Sequence, residues 1–386
     1  MDFGGADIGE QFIAEEAQFL NEKKKANFNG MKVGQSAFFQ KATFKGPVDF
    51  LTADIGGQLG AREARFQSRE EAKFEGIKVA MGAFFEGAEF AGLLALNDAY
   101  MLDLQMGDKS IPGLSLERTC INRELSIQET EIGVFAAGNL VVQGPATLEN
   151  VVIKDAADLR HARFQQVKFV KVTWPERQAG KARVWLDGIN FQALSTRKEP
   201  EEEEDWNRVL GWISLSRFNT QIYQLLDEYF QRCGLKDWAY KVFVAGKRRE
   251  WSRWRQLRRW RKWWAPALWL NKVFWDWLTG FGRKPARTLF LIIPLVLVGW
   301  LLFEPQFDIK FLETHSSFRS MVLQYPKITG LLLSLDRFLP TVDLGLAKHW
   351  QPCQLCCWTW IYWYFLKIMG WVTIPITLAA IYTKIK

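Results

Sequence analysis

Several residues near the C-terminus have types and spacings that can do chemistry. His349, Cys353, Cys356 and Cys357 offer four soft ligands, and Cys-x-x-Cys is a zinc-ligand spacing. A structural zinc site usually draws on two separated half-sites, and Cys357 directly adjoins Cys356. A disulfide or interfacial packing is therefore preferred, and no metal is assigned. The other histidines are His161 and His315, and none of the three belongs to a catalytic triad. There is no Walker A motif, no His-Glu-x-x-His and no Gly-x-Ser-x-Gly. The paired carboxylates Glu15/Glu16 and Glu70/Glu71 fall where corners are expected, and solvent exposure is their default. No enzyme, no catalytic residue and no cofactor are expected.

Two further sets carry charge rather than catalysis. Residues 247–262 contain nine cations and one acid: Lys247, Arg248, Arg249, Arg253, Arg255, Arg258, Arg259, Arg261 and Lys262 against Glu250. At 100° per residue, Leu257, Trp260, Trp263 and Trp264 share one helical face and Arg255, Arg258, Arg259 and Lys262 the other. A basic helix with a tryptophan face suits an anionic lipid surface, at about 1 kcal/mol per cation, and lipid is favoured over nucleic acid. Asp336, Asp343 and Lys367 are the candidates for a pore, because the segments around them are apolar and carboxylate rings favour cations.

The elements that position these groups follow from the rest of the chain. Its 386 residues exceed one ordinary domain. Residues 1–200 hold 24 basic and 27 acidic groups, whereas residues 201–386 hold 26 and 15. All 19 tryptophans lie from Trp174 onward, eight of them between Trp251 and Trp277, a crowding that suits a membrane–water interface. The N-terminus has no basic and apolar leader, so no cleaved signal peptide is expected.

The N-terminal half repeats. A small residue precedes a large apolar one by two positions at Ala26/Phe28, Ala37/Phe39, Ala42/Phe44, Ala53/Ile55, Ala64/Phe66, Ala83/Phe85 and again at Ala157/Leu159. The large residues are five or six apart, as in Phe28, Val33, Phe39, Phe44, Phe50 and Ile55. That period fits neither an amphipathic helix nor an open strand. It fits a solenoid that turns a corner after each short strand, with both the small and the large residue pointing inward. Ala26-Asn27-Phe28, Ala53-Asp54-Ile55 and Ala157-Asp158-Leu159 resemble the unit of the pentapeptide-repeat family. The resemblance covers about residues 6–174 and implies a right-handed, four-sided β-helix of seven or eight coils. Six-residue spacings and the weak stretch from Asp103 to Leu114 are expected to bulge out as loops. Some members of that family mimic duplex DNA, but a net charge of −3 over residues 1–200 gives this little support.

From Trp206 to Glu250 the spacing turns helical, with Ile222, Leu225, Leu226, Tyr229 and Phe230 in one stripe and Gly234 as punctuation. The stretch resembles the helical hairpin that follows the solenoid in membrane-attached bacterial proteins of that family. Two readings are open for it: a peptide-binding hairpin, or a cap on the solenoid's core.

Farther on, 286–303 and 361–382 read as two transmembrane helices, and the broken apolar stretch 328–346 as a re-entrant segment. Basic residues flank the two spans and put both termini in the cytoplasm, with the protein at the inner membrane. Lys367 lies inside an aromatic belt, where it either snorkels or faces a polar cavity.

The fold class expected is an all-β solenoid followed by an α-helical hairpin and a two-helix transmembrane region. Its segments are 1–198 (β-helix), 199–246 (acidic linker and hairpin), 247–285 (basic interfacial helices) and 286–386 (membrane domain). The leading function is a membrane-anchored scaffold with anionic lipid and an unknown protein as partners. The alternative is an oligomeric ion channel or membrane-disrupting effector, which requires a homo-oligomer because two spans cannot enclose an aqueous path.

Overall fold

The computed structural model describes residues 1–178, 182–197, 205–257, 286–303, 313, 316–339, 344–350 and 357–385. The chain divides into two compact units, Met1–Glu250 and Trp251–Lys386.

The first unit opens with a parallel β-solenoid of about seven turns. An early circuit has four sides of two residues each: Lys32–Val33, Ala37–Phe38, Thr43–Phe44 and Val48–Asp49. Each side pairs in parallel with its equivalent one circuit on, for instance Lys32–Val33 with Asp54–Ile55 and Thr43–Phe44 with Arg65–Phe66. From Lys78–Glu86 onward two neighbouring sides merge into one long strand, repeated at Tyr100–Gly107, Cys120–Gln128, Val141–Glu149 and Arg163–Val170. The corner survives only as a register shift, as between Val79 and Gly82.

The expected inward pairing of small and large residues is what the structure shows. Ala37, Ala42, Ala53, Ala64, Ala83 and Ala157 are fully buried beside Phe39, Phe44, Ile55, Phe66, Phe85 and Leu159. Rings stack in columns along the solenoid: Phe28 on Phe50 at 4.4 Å, Phe50 on Phe74 at 4.7 Å, Phe44 on Phe66 at 5.0 Å and Phe66 on Phe90 at 4.6 Å, all within 10° of parallel. Such pairs contribute about 0.5–1.5 kcal/mol beyond the area they bury.

The bulging loops expected between Asp103 and Leu114 are absent. The segment forms two strands, Tyr100–Gly107 and Ser110–Ser115, each paired on both sides. Only the Phe signature is lost there. Met101, Leu104, Met106, Ile111 and Leu114 still fill the interior, and aliphatic side chains do this as well as rings. The six-residue spacing from Val33 to Phe39 is likewise absorbed without a loop, in a corner at Gly34. A Cβ on Gly34 would stand 2.2 Å from the carbonyl oxygen of Gly9, and one on Gly56 2.3 Å from that of Gly34.

Two columns of corner residues take left-handed backbone angles. One runs through Gly30, Thr52, Gly76, Asp98, Arg118, Asn139, His161 and Gly188, with φ between 55° and 73°. The other includes Lys41, Glu63, Gly87, Glu129 and Asn150. Turns at these columns close by short-range bonds, as from Ala53 N–H to Phe50 C=O at 3.1 Å and from Ala42 N–H to Phe39 C=O at 3.1 Å.

Three helices follow the solenoid: α1 (Trp206–Leu215), α2 (Thr220–Arg232) and α3 (Lys236–Leu257), the last running beyond Glu250 where the first unit ends. Asn219 caps α2 by accepting from Gln221 N–H, and Gly234 at φ 75° turns the chain into α3. Trp206, Trp212, Ile222, Leu226, Phe230 and Val242 join the solenoid's own hydrophobic core, so the hairpin caps it.

The second unit contains α4 (Ala286–Leu302), α5 (Ser316–Gln324), α6 (Pro326–Phe338) and α7 (Cys357–Ile385). Val296, Phe303, Leu333, Phe338, Trp350, Trp363 and Leu366 form its core. Helices thus form at both expected spans, yet among the described residues no helix is long and apolar enough to cross a membrane. The two-span reading has no support from the structure. At 17 residues α4 falls short of the ~20 that a span needs. The expected re-entrant stretch begins as the regular helix α6, which packs against α4 and α7.

Candidate interaction sites on the solenoid cap

The last strand of the solenoid, Asn190–Ser195, would present unpaired backbone groups at its free edge. Tyr229 on α2 covers them. Its hydroxyl donates to Leu194 C=O at 2.7 Å and accepts from Leu194 N–H at 3.2 Å. The ring packs edge-on to Phe191 and Trp206. Asn219 reinforces the join by donating to Asp187 at 2.8 Å.

Two arginines close the C-terminal end of α1. Arg249 donates through Nη1 to Ile213 C=O and to the Tyr223 hydroxyl, both at 2.8 Å, and through Nη2 to Ser216 C=O at 2.9 Å. Arg177 donates to Leu215 C=O at 3.1 Å and to Ser216 C=O at 2.5 Å. The terminal carbonyls of a helix carry partial negative charge and lack partners within the helix, so cations fit there. Burial first, and then the like charge of Arg249, lower the Arg177 guanidinium below its ordinary value.

Three cations of the basic set are described with their side chains. Lys247 pairs with Glu250 at 2.9 Å, Arg248 is exposed, and Arg249 belongs to the cap. Arg253 and Arg255 lie on α3, while Arg258, Arg259, Arg261 and Lys262 lie outside the described residues. Of the pore candidates, Asp336 is buried, and its two oxygens accept from Leu344 N–H at 2.6 Å and Ala347 N–H at 2.7 Å. These two bonds fasten the chain after α6. Its neighbour Arg337 lies over the Trp363 ring at 4.6 Å. Lys367 is exposed on α7, and Asp343 lies outside the described residues. His349 is exposed, Cys357 begins α7, and Cys353, Cys356 and His315 are outside the described residues. His161 occupies a left-handed corner. Among the described residues no group of three His, Cys, Asp or Glu could hold a metal ion.

The structure also reveals a groove that the spacing of residues does not announce. Thr220, Tyr223, Gln224, Asp227 and Glu228 follow one another along one face of α2. Phe243, Gly246, Lys247 and Glu250 follow one face of α3 opposite. Between them lies a cavity of about 410 Å³, with Phe218 at one end. Gly246 lets the helices approach: a Cβ there would meet the Tyr223 ring at 2.9 Å. The sequence signal that could have located it is the pair of i, i+3, i+4, i+7 series mixing acids with aromatics, which reads equally well as an ordinary solvated face.

No family model, curated protein or solved structure matches this chain.

Proposed function

We propose that this protein is a non-catalytic interaction scaffold of the pentapeptide-repeat type, held at a membrane by its helical unit. The observation that carries the scaffold reading is the solenoid itself. Its interior is filled by side chains along its length, and its faces present a regular lattice of exposed residues. Coils that touch only their neighbours make a stiff platform. Ion pairs link successive coils on that surface, among them Lys25–Asp49, Arg62–Glu86 and Lys154–Glu131. Photo-crosslinkers at Lys32, Arg65 and Lys73, which stand on different faces, test the platform. One face giving a discrete, saturable adduct supports it, whereas equal or no reaction on all faces overturns it.

The membrane part of the proposal rests on apolar side chains left in the open. On α7, Trp358, Ile361, Phe365, Ile368 and Val372 recur at helical spacing and are exposed. On α4, Ile293, Leu297 and Leu301 do the same. Exposed apolar stripes of this extent mark an interaction site for protein or lipid. Vesicle flotation of the full chain, with and without anionic lipid, is the direct measurement. Co-flotation that resists alkaline carbonate is expected, and protein remaining at the bottom of the gradient removes the anchor.

A further inference from the structure

We infer that Arg337, with Lys367 beside it, forms a site for the phosphate group of an anionic phospholipid. The inference rests on the membrane reading and gives it a headgroup chemistry. The Arg337 guanidinium lies over the Trp363 ring at 4.6 Å and the Tyr364 ring at 5.7 Å, both within cation–π reach. Trp363 is 5% exposed and Tyr364 56%, so the aromatic shelf has a buried inner part and an open outer edge. The two rings hold the guanidinium plane, yet its hydrogen-bonding capacity is unused. Nε is buried without an acceptor, and no carboxylate pairs with Arg337 among the described residues. A guanidinium carries five N–H donors, and donors taken from water without a partner are costly. The neighbouring acid does not take them up, because the Asp336 oxygens accept from the amides of Leu344 and Ala347.

Charge and the order of residues around α7 select the occupant. Lys367 follows Trp363 by four positions and Tyr364 by three, so it rises one turn on from the same side of the helix. It is exposed and has no ion pair among the described residues. Two cations therefore stand against one acid, Asp336, whose oxygens are already engaged. An anion fits there. A guanidinium held flat meets a phosphate with two parallel N–H donors, which an ammonium cannot do. At 100° per residue, Lys367 lies to one side of Tyr364, and Ile361, Phe365, Ile368 and Val372 lie to the other. Those four are exposed. The open face thus runs from cation through aromatic ring to aliphatic side chains. A phospholipid carries its phosphate, glycerol and acyl chain in the same order. A free phosphate would use the cations and leave the apolar stripe in water.

The test uses the full chain with vesicles of phosphatidylcholine, alone or with phosphatidylglycerol added. Sedimentation at physiological salt gives a partition coefficient for each. Arg337→Gln should weaken binding to the phosphatidylglycerol vesicles about fivefold. Lys367→Gln, at an exposed position that leaves the fold alone, should act in the same direction and by a similar factor. Neither should alter binding to phosphatidylcholine alone. Arg337→Lys keeps the charge and loses the fork, so it should fall between the unaltered chain and Arg337→Gln. Inorganic phosphate, added at constant ionic strength, should leave the binding unchanged. Full affinity in Arg337→Lys overturns the assignment, since charge alone would then suffice. So does displacement by inorganic phosphate, which would mark a site for a soluble anion. A chain that binds phosphatidylglycerol vesicles equally well with both glutamine substitutions loses this site and keeps the membrane reading. A chain that binds neither kind of vesicle loses both.

Discussion

Tyr229 gives the last coil of the solenoid a polar partner where the next coil would otherwise be. Its hydroxyl meets both backbone groups of Leu194. Tyr229→Phe leaves the packing in place and strands a buried N–H and C=O. A loss of about 1–3 kcal/mol in urea unfolding is expected, with faster amide exchange at Leu194. Arg249 is a second residue whose role is structural, since two carbonyls at the end of α1 and the Tyr223 hydroxyl of α2 surround its guanidinium. Glu89 belongs to a weaker class. The hydrogen bond from Lys109 first, and then the charges of Lys109 and Arg65, hold its carboxyl below the usual carboxylate range. A carboxyl lowered by folding adds stability above its unfolded value near ~4.3, and that contribution is lost as pH falls through the folded value. The group is half exposed, so Glu89→Gln should cost no more than about 0.5 kcal/mol at pH 7, and nothing at a pH below both values. Parallel denaturant titrations at the two pH values measure the difference.

Among the elements, the coils differ in how they use the interior. Phe50 stacks between Phe28 and Phe74, so Phe50→Ala opens a cavity in the ring column and should cost about 3–5 kcal/mol. Thr52 at its corner has φ 55°, where a β-branched residue is strained. Thr52→Gly should therefore be neutral or stabilising by up to about 1 kcal/mol, unlike Thr→Gly at an ordinary position. Thermal unfolding of the two variants separates the interior from the corner. The ring columns were legible because large residues five apart, from Phe39 to Phe44 for example, match the side of a four-cornered coil and neither a helix nor an open strand. The continuous strands after Lys78 were harder to see, because Met and Leu replaced Phe while the inward pattern persisted. The stripe containing Tyr229 was legible as apolar, but its hydroxyl's partner lies 35 residues away, and no local spacing encodes that bond. The partners of Asp336 were illegible for a related reason: the two backbone amides it serves lie eight and eleven residues on, and no local spacing encodes them.

For the whole molecule, the two units differ in what they leave exposed. The first leaves scattered side chains such as Ile13, Leu20 and Tyr100 in the open, whereas the second exposes Trp358, Ile361, Phe365, Ile368 and Val372 in a row along one helix. The cap links residues far apart in sequence, since α2 packs on the strand Asn190–Ser195 and Arg249 reaches α1. A solenoid behaves as a row of coupled neighbours, so loss of the cap should fray it from that end. Hydrogen exchange on the Tyr229→Phe chain should show protection falling first over 184–195 and last near Phe50. Uniform loss along the row would mean that the coils unfold as a single block.

The tryptophans have an optical consequence. Trp174 stacks on Trp212 at 5.4 Å, with Phe169 edge-on to both, so one indole from the last coils touches one from the cap. No indole precedes Trp174. Within the first unit, near-ultraviolet emission and exciton dichroism therefore report on that junction and the helices around it, and are blind to the coils before it. Far-ultraviolet dichroism sees those coils. Comparing the two signals during one denaturation resolves the order in which lid and column come apart, with no label attached.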